Sequence, residues 1–144
     1  MNTIPTIEDV LSFLTAGLVI KKTQFYGKSE SEIENLITKQ LREQYGEMNI
    51  HRQYSVGGFL SLKCDIDLFD SKCCGIELKL AKQLKNSSAK ERLIGQVIYY
   101  SKRCYQGKLI VLVVGTQKEY DTSLQEVQEF LSELGAYFVY KEIE

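Results

Sequence analysis

The sequence predicts an α/β fold in which helices pack on both sides of a mixed β-sheet, three layers in all. Three observations predict it. Helical periodicity over residues 29–46 gives way to short alternating runs over residues 49–81, and then to a helix, strand, helix, strand order. The run LIVLVVG, residues 109–115, is apolar throughout, as a strand covered on both faces must be. The chain has 144 residues, 44% apolar and 26% charged, an ordinary globular balance large enough for one core without disulfides or metals.

The elements follow in order. From Thr6 to about Leu18 the apolar residues fall at helical spacing, with Thr6 as N-cap and Glu8 and Asp9 in the first turn. KKTQFYGK, from Lys21 to Lys28, reads as an aromatic-bearing loop. Ser29 or Ser31 opens a second helix whose stripe is Ile33, Leu36, Ile37 and Leu41, and Gly46 ends it. Asn49–Val56 and Phe59–Phe69 read as a hairpin around Gly57 and Gly58. In the second run strict alternation sets Leu60, Leu62, Cys64, Ile66 and Leu68 on one face and Asp65 and Asp67 together on the other. After the turn DSK, the run CCGIELKLA forms a third strand with Glu77 and Lys79 on its polar side. Ser87 or Ser88 caps a helix through KERLIGQVIYYSKRCY, lined by Leu93, Val97, Tyr100 and Cys104. The buried strand 109–115, an amphipathic helix over Leu124–Leu134 ended by Gly135, and an edge strand AYFVYKEI complete the order. The whole of 1–144 reads as one domain: a helix and loop (1–28), a core (29–115), and a helix and edge strand (116–144).

Several classes are excluded by composition. No apolar run approaches the roughly 20 residues of a membrane span. The start MNTIPTIEDVLSFL lacks the basic region of a secretory signal, so a cytoplasmic protein is expected. Four cysteines without a CxxC, and one histidine, give a zinc site little to draw on. Reduced thiols are expected, with one of Cys73 and Cys74 exposed, since neighbours on a strand face opposite ways. His51 reads as a surface or strand residue with no Ser, Asp or Cys placed to make it a base.

The net charge of −1 conceals a division. Residues 79–108 carry eight Lys/Arg against one Asp/Glu, a local +7, while 1–78 and 109–144 carry −3 and −5. Such a basic stretch suits a phosphate backbone. It begins at Lys79, where KCDIDLFDSKCCGIELK ends. Carboxylates at Asp65 or Asp67 and at Glu77, with the Lys79 amine, form a set that can hold a divalent cation and a water against a phosphodiester. The competing reading is a solvated sheet face with cross-strand ion pairs.

An aspartate, a short interval, and Glu-x-Lys on the next strand resemble the active-site pattern of the PD-(D/E)XK nuclease superfamily, and the resemblance spans roughly residues 29–115. It implies a restriction-endonuclease-like α/β/α core and magnesium-dependent cleavage of DNA, manganese substituting. Asp67 or Asp65 would be the main metal ligand, Glu77 the second, and Lys79 the residue orienting the water. Asp65 stands 12 residues before Glu77 and Asp67 10, and both intervals suit the family; the IDLF context favours Asp67. Cys64 replaces the proline that usually precedes the aspartate. Glu34 matches the glutamate of the early helix, with Glu32 as fallback. Gln96 and Tyr100 in QVIYY resemble a Q-x-x-x-Y motif of the exonuclease branch, which puts the glutamine near the metal and the tyrosine near substrate. Lys82, Lys85, Lys90, Arg92, Tyr100, Lys102 and Arg103 would then contact nucleic acid. The alternative is a catalytically inactive nucleic-acid-binding or assembly module on the same fold. Homodimerisation through the acidic C-terminal helix and the edge strand AYFVY, and a partner protein that delivers substrate, are further expectations.

Overall fold

A computed structural model describes residues 3–55 and 63–144. The glycine turn expected at Gly57 and Gly58, and Leu60 and Leu62 of the expected apolar face, lie outside the described residues. Five strands form one sheet in the order β1 (Ile50–Ser55), β2 (Lys63–Leu68), β3 (Cys74–Leu80), β4 (Leu109–Gly115), β5 (Tyr137–Glu142). The β1/β2 and β2/β3 pairs are antiparallel, and β3/β4 and β4/β5 are parallel. The protein is therefore α/β with a mixed five-stranded sheet.

Local chemistry explains the helices. Helix α1 (Ile7–Ser12) starts at Thr6, which forms a reciprocal capping pair with Asp9, and it widens into a π-helical turn over Phe13–Gly17 instead of running on as α-helix to Leu18. Residues 21–28, expected as a loop, include a one-turn helix, α2 (Lys22–Phe25), because Gln24 reaches back to cap the Lys21 N–H at 2.9 Å. Helix α3 (Glu30–Tyr45) is capped by Ser29, with Glu32 closing the capping pair, and it ends at Gly46, whose φ of 98° suits glycine. Helix α4 (Ser87–Arg103) is capped by Asn86, one residue before the expected serines. The Asn86 side-chain oxygen Oδ1 accepts from the Ser88 and Ala89 N–H groups. Helix α5 (Thr122–Glu133) is capped by Asp121.

Two cores sandwich the sheet. Val10 and Leu14 at the N-terminus, with Ile33, Ile37 and Leu41 of α3, pack on Ile66, Ile76, Leu78, Ile110 and Leu112. On the opposite side Leu93, Val97 and Tyr100 of α4, with Leu124 and Leu131 of α5, pack on Val111 and Val113. All seven residues of β4 are buried, as LIVLVVG requires. Because Ile76, Leu78 and Leu80 take the α3 side, Glu77 and Lys79 project toward α4.

The alternation expected along β2 breaks. Ile66 and Leu68 enter the α3-side core, whereas Cys64 enters the α4-side core. Opposite this point Gln53 of β1 takes a φ of 51°. The β2/β3 ladder also stops at Ile66↔Ile76, one step before Asp65 would oppose Glu77. The thiols differ from expectation as well: Cys73 and Cys74 are both buried, at 3% and 0% exposure, since Cys73 lies in the turn before β3 and both enter the α3-side core.

Candidate functional site

The break in β2 builds the site. Released from the ladder, the Asp65 carboxylate accepts the Leu78 N–H on Oδ2 at 2.8 Å and the Gln53 amide on Oδ1 at 3.3 Å. Its side chain thereby turns to Glu77 on β3. Lys79 Nζ stands 3.7 Å from Glu77 Oε2, with Lys79 19% and Glu77 2% exposed at the side chain. Glu77 Oε1 is buried and accepts no hydrogen bond from the described residues. Burial, then the neighbouring Asp65 charge, pushes the Glu77 carboxyl up to about 9 against the pull of Lys79. Asp65 is also raised, mainly by burial, with the Leu78 N–H acting against it.

Asp67 joins a different group. Its Oδ1 accepts the Tyr105 hydroxyl at 2.8 Å and the Ser71 N–H at 2.9 Å, and the charge it feels most directly is His51. The expectation that Asp65 and Asp67 share one face with Glu77 and Lys79 is thus corrected, for the ladder break redirects Asp65 alone. His51, expected to lack a partner, has Nε2 at 3.2 Å from Asp70 Oδ1.

Helix α3 contributes in a way the sequence did not indicate. Glu34 is buried, but Arg52 holds it: Oε2 accepts from Arg52 Nε at 2.8 Å and pairs with Nη2 at 2.7 Å. Burial raises its carboxyl, and Arg52 opposes the rise. The Gln53 amide donates to both Glu34 and Asp65, linking the helix to the cluster. The Glu32 side chain turns away and accepts the Ser29 N–H. Glu30, one turn before Glu34, is instead the helix residue whose charge acts on both Asp65 and Glu77, and its Oε1 is buried without a partner among the described residues. The i, i+4 spacing from Glu34 was the available signal. Arg52, Gln53 and Tyr105 carried none, since each depends on a tertiary neighbour.

On α4, Gln96 has a buried Oε1 without a partner among the described residues, and it lies one turn before Tyr100. Tyr100 is 1% exposed and donates its hydroxyl to the Lys63 carbonyl at 2.9 Å, so it braces the start of β2 and offers no surface to a nucleic acid, contrary to expectation. Of the basic residues, Lys82, Arg92, Lys102 and Arg103 are exposed. Lys85 pairs with Asp121 at 3.4 Å and Lys90 donates to Ser123, so both are partly committed to α5.

Oxygen donors at Asp65 and Glu77, one of them buried and without a donor, fit a hard divalent cation. Comparison with protein-family models, with curated proteins and with solved structures finds no match. Among the described residues, no helix is long and apolar enough to cross a membrane.

Proposed function

We propose that this chain is a magnesium-dependent nuclease of PD-(D/E)XK type, hydrolysing phosphodiester bonds in DNA, on a restriction-endonuclease-like version of its α/β fold. The observation that carries the reading is the meeting of Asp65, Glu77 and Lys79 at the break in β2, with Glu77 2% exposed and its Oε1 unsatisfied among the described residues. Burial holds the metal-free Glu77 carboxyl protonated near neutrality, and a cation that displaces the proton offsets the cost of the buried charge. Asp65 and Glu77 would hold magnesium or manganese. Such an ion supplies a Lewis acid and a water of lowered pKa. Lys79, 3.7 Å from Glu77, orients the attacking water and offsets charge developing on the phosphate. Gln53 and the Leu78 N–H fix the Asp65 carboxylate, and Tyr100 fixes the strand that carries it. The exposed Lys82, Arg92, Lys102 and Arg103 contact the DNA backbone, which makes binding tolerant of sequence and sensitive to salt.

Incubation with single-stranded, duplex and branched DNA plus magnesium or manganese tests this, beside chelator and a Glu77→Ala control. Cleavage stopped by both supports the reading, and cleavage indifferent to either removes it. One observation favours the second reading, a non-catalytic nucleic-acid-binding module: both Asp65 oxygens already accept hydrogen bonds. A carboxylate keeps further lone pairs, so these bonds do not bar a cation. Calorimetric heat from magnesium or manganese that vanishes in Asp65→Asn supports the enzyme, and DNA binding with no such heat supports the module.

A further inference from the structure

Around the turn between β2 and β3 a second group of donors converges. A ring nitrogen of His51, a carboxylate oxygen of Asp67 and one of Asp70 lie within 4.8 Å of one another. His51 and Asp67 are cross-strand partners on β1 and β2, and Asp70 is returned over them by a turn in which Phe69, Asp70 and Ser71 all have positive φ, between 53° and 66°. The His51 Nε2–Asp70 Oδ1 contact at 3.2 Å joins two of the three groups, and Nε2 is buried without a hydrogen bond among the described residues. That contact leaves Asp67. That side chain is 0% exposed, Tyr105 and Ser71 occupy Oδ1, and Oδ2 is buried with no donor among the described residues. A fully buried carboxylate oxygen without a donor is costly, and the His51 charge and the Asp70 N–H act against that cost without supplying Oδ2 a bond.

We propose that His51, Asp67 and Asp70 form a binding site for one first-row divalent transition-metal ion, zinc or an ion of similar ligand preference. One imidazole and two carboxylates match the mixed nitrogen and oxygen donors such ions take, with the remaining coordination left to water, and the two carboxylates balance the ion's charge. On a tetrahedral zinc with bonds of about 2.0 Å, neighbouring ligand atoms lie roughly 3.3 Å apart, and the His51–Asp70 separation is already 3.2 Å. The Tyr105 hydroxyl and Ser71 N–H on Asp67 Oδ1 are the outer bonds that orient a ligating carboxylate and leave its other oxygen for the metal. The histidine distinguishes this site from the all-oxygen donors of Asp65 and Glu77, and the proposal does not depend on the nuclease reading. The ion would tie the turn to β1.

Equilibrium dialysis of the chelator-stripped full chain against zinc, with metal content measured directly, tests it. The wild type is expected to retain one zinc ion that His51→Ala and Asp70→Asn each weaken by at least the ~10- to 100-fold that loss of even an outer partner costs. Zinc should also raise the melting temperature of the wild type and not of either variant. Both positions are accessible enough to change without emptying the core, the side chains being 34% and 67% exposed. Melting of each variant without zinc, close to wild type, confirms its fold. A wild type that binds no zinc, or His51→Ala binding zinc as tightly as wild type at the thiols or at Glu77, overturns the proposal.

Discussion

Asp65 and Asp67 stand two residues apart on one strand, yet they belong to chemically different neighbourhoods. Asp67 lies where the ladder is intact, opposite His51 and Gly75, and its environment is a histidine, a tyrosine and a tight turn. Asp65 lies where the ladder fails, and its carboxylate replaces the missing backbone partner of Leu78. The first neighbourhood holds the His51 imidazole, the second the Lys79 amine. A single interruption of strand pairing thus separates two carboxylates that simple alternation would place side by side.

Between the two neighbourhoods, a large difference is expected at Lys79. Lys79→Met should lower magnesium-dependent DNA cleavage by about 10²–10³-fold, the cost of one electrostatic contact in a transition state, with the fold retained by circular dichroism. His51→Ala, in the other neighbourhood, should alter cleavage far less. Equal losses in a steady-state assay would erase the distinction between the two groups.

Gly75→Ala comes next and acts on the Asp67 side. A Cβ there would meet the Tyr105 ring at 2.4 Å, so the ring must move and its hydroxyl leave Asp67. A loss of about 1–3 kcal/mol in denaturant unfolding is expected from such overpacking. An unchanged midpoint would show that Tyr105 does not brace this turn.

The pH dependence of stability is a smaller effect and belongs to the Asp65 side. With its carboxyl raised from 4.5 to about 9 in the fold, Glu77 contributes stability that is fully present below pH 4.5 and is lost as pH rises toward 9. Metal-free Glu77→Gln should therefore melt above wild type at pH 8, with the gap shrinking at pH 5, on the order of 4 °C for each kcal/mol. Thermal melts at the two pH values check the sign, and a gap that widens at pH 5 would contradict the burial of an unsatisfied Glu77.

What the sequence made legible follows the same division. Caps at Thr6 and Ser29, the stripe of α3 and the all-apolar β4 depend on neighbours along the chain, and the structure has them where periodicity and capping chemistry put them. Glu77 and Lys79 sharing a face followed from the period of two in β3. The direction of Asp65 did not, because it depends on Gln53 at φ 51° across the sheet and on the Leu78 N–H. His51 found a partner only because three consecutive residues after β2 turn left-handed, a conformation that Phe, Asp and Ser do not announce. Glu34 had the expected context, but Arg52, distant in sequence, neutralises it, and Glu30 acts on the cluster instead.

The central claim is that Asp65, and not Asp67, completes the set with Glu77 and Lys79. Magnesium-dependent cleavage of DNA by Asp65→Asn and Asp67→Asn, compared at equal concentrations of folded protein, tests it most directly. The account predicts that Asp65→Asn abolishes cleavage while Asp67→Asn retains most of it; activity that survives in Asp65→Asn and disappears in Asp67→Asn would contradict it.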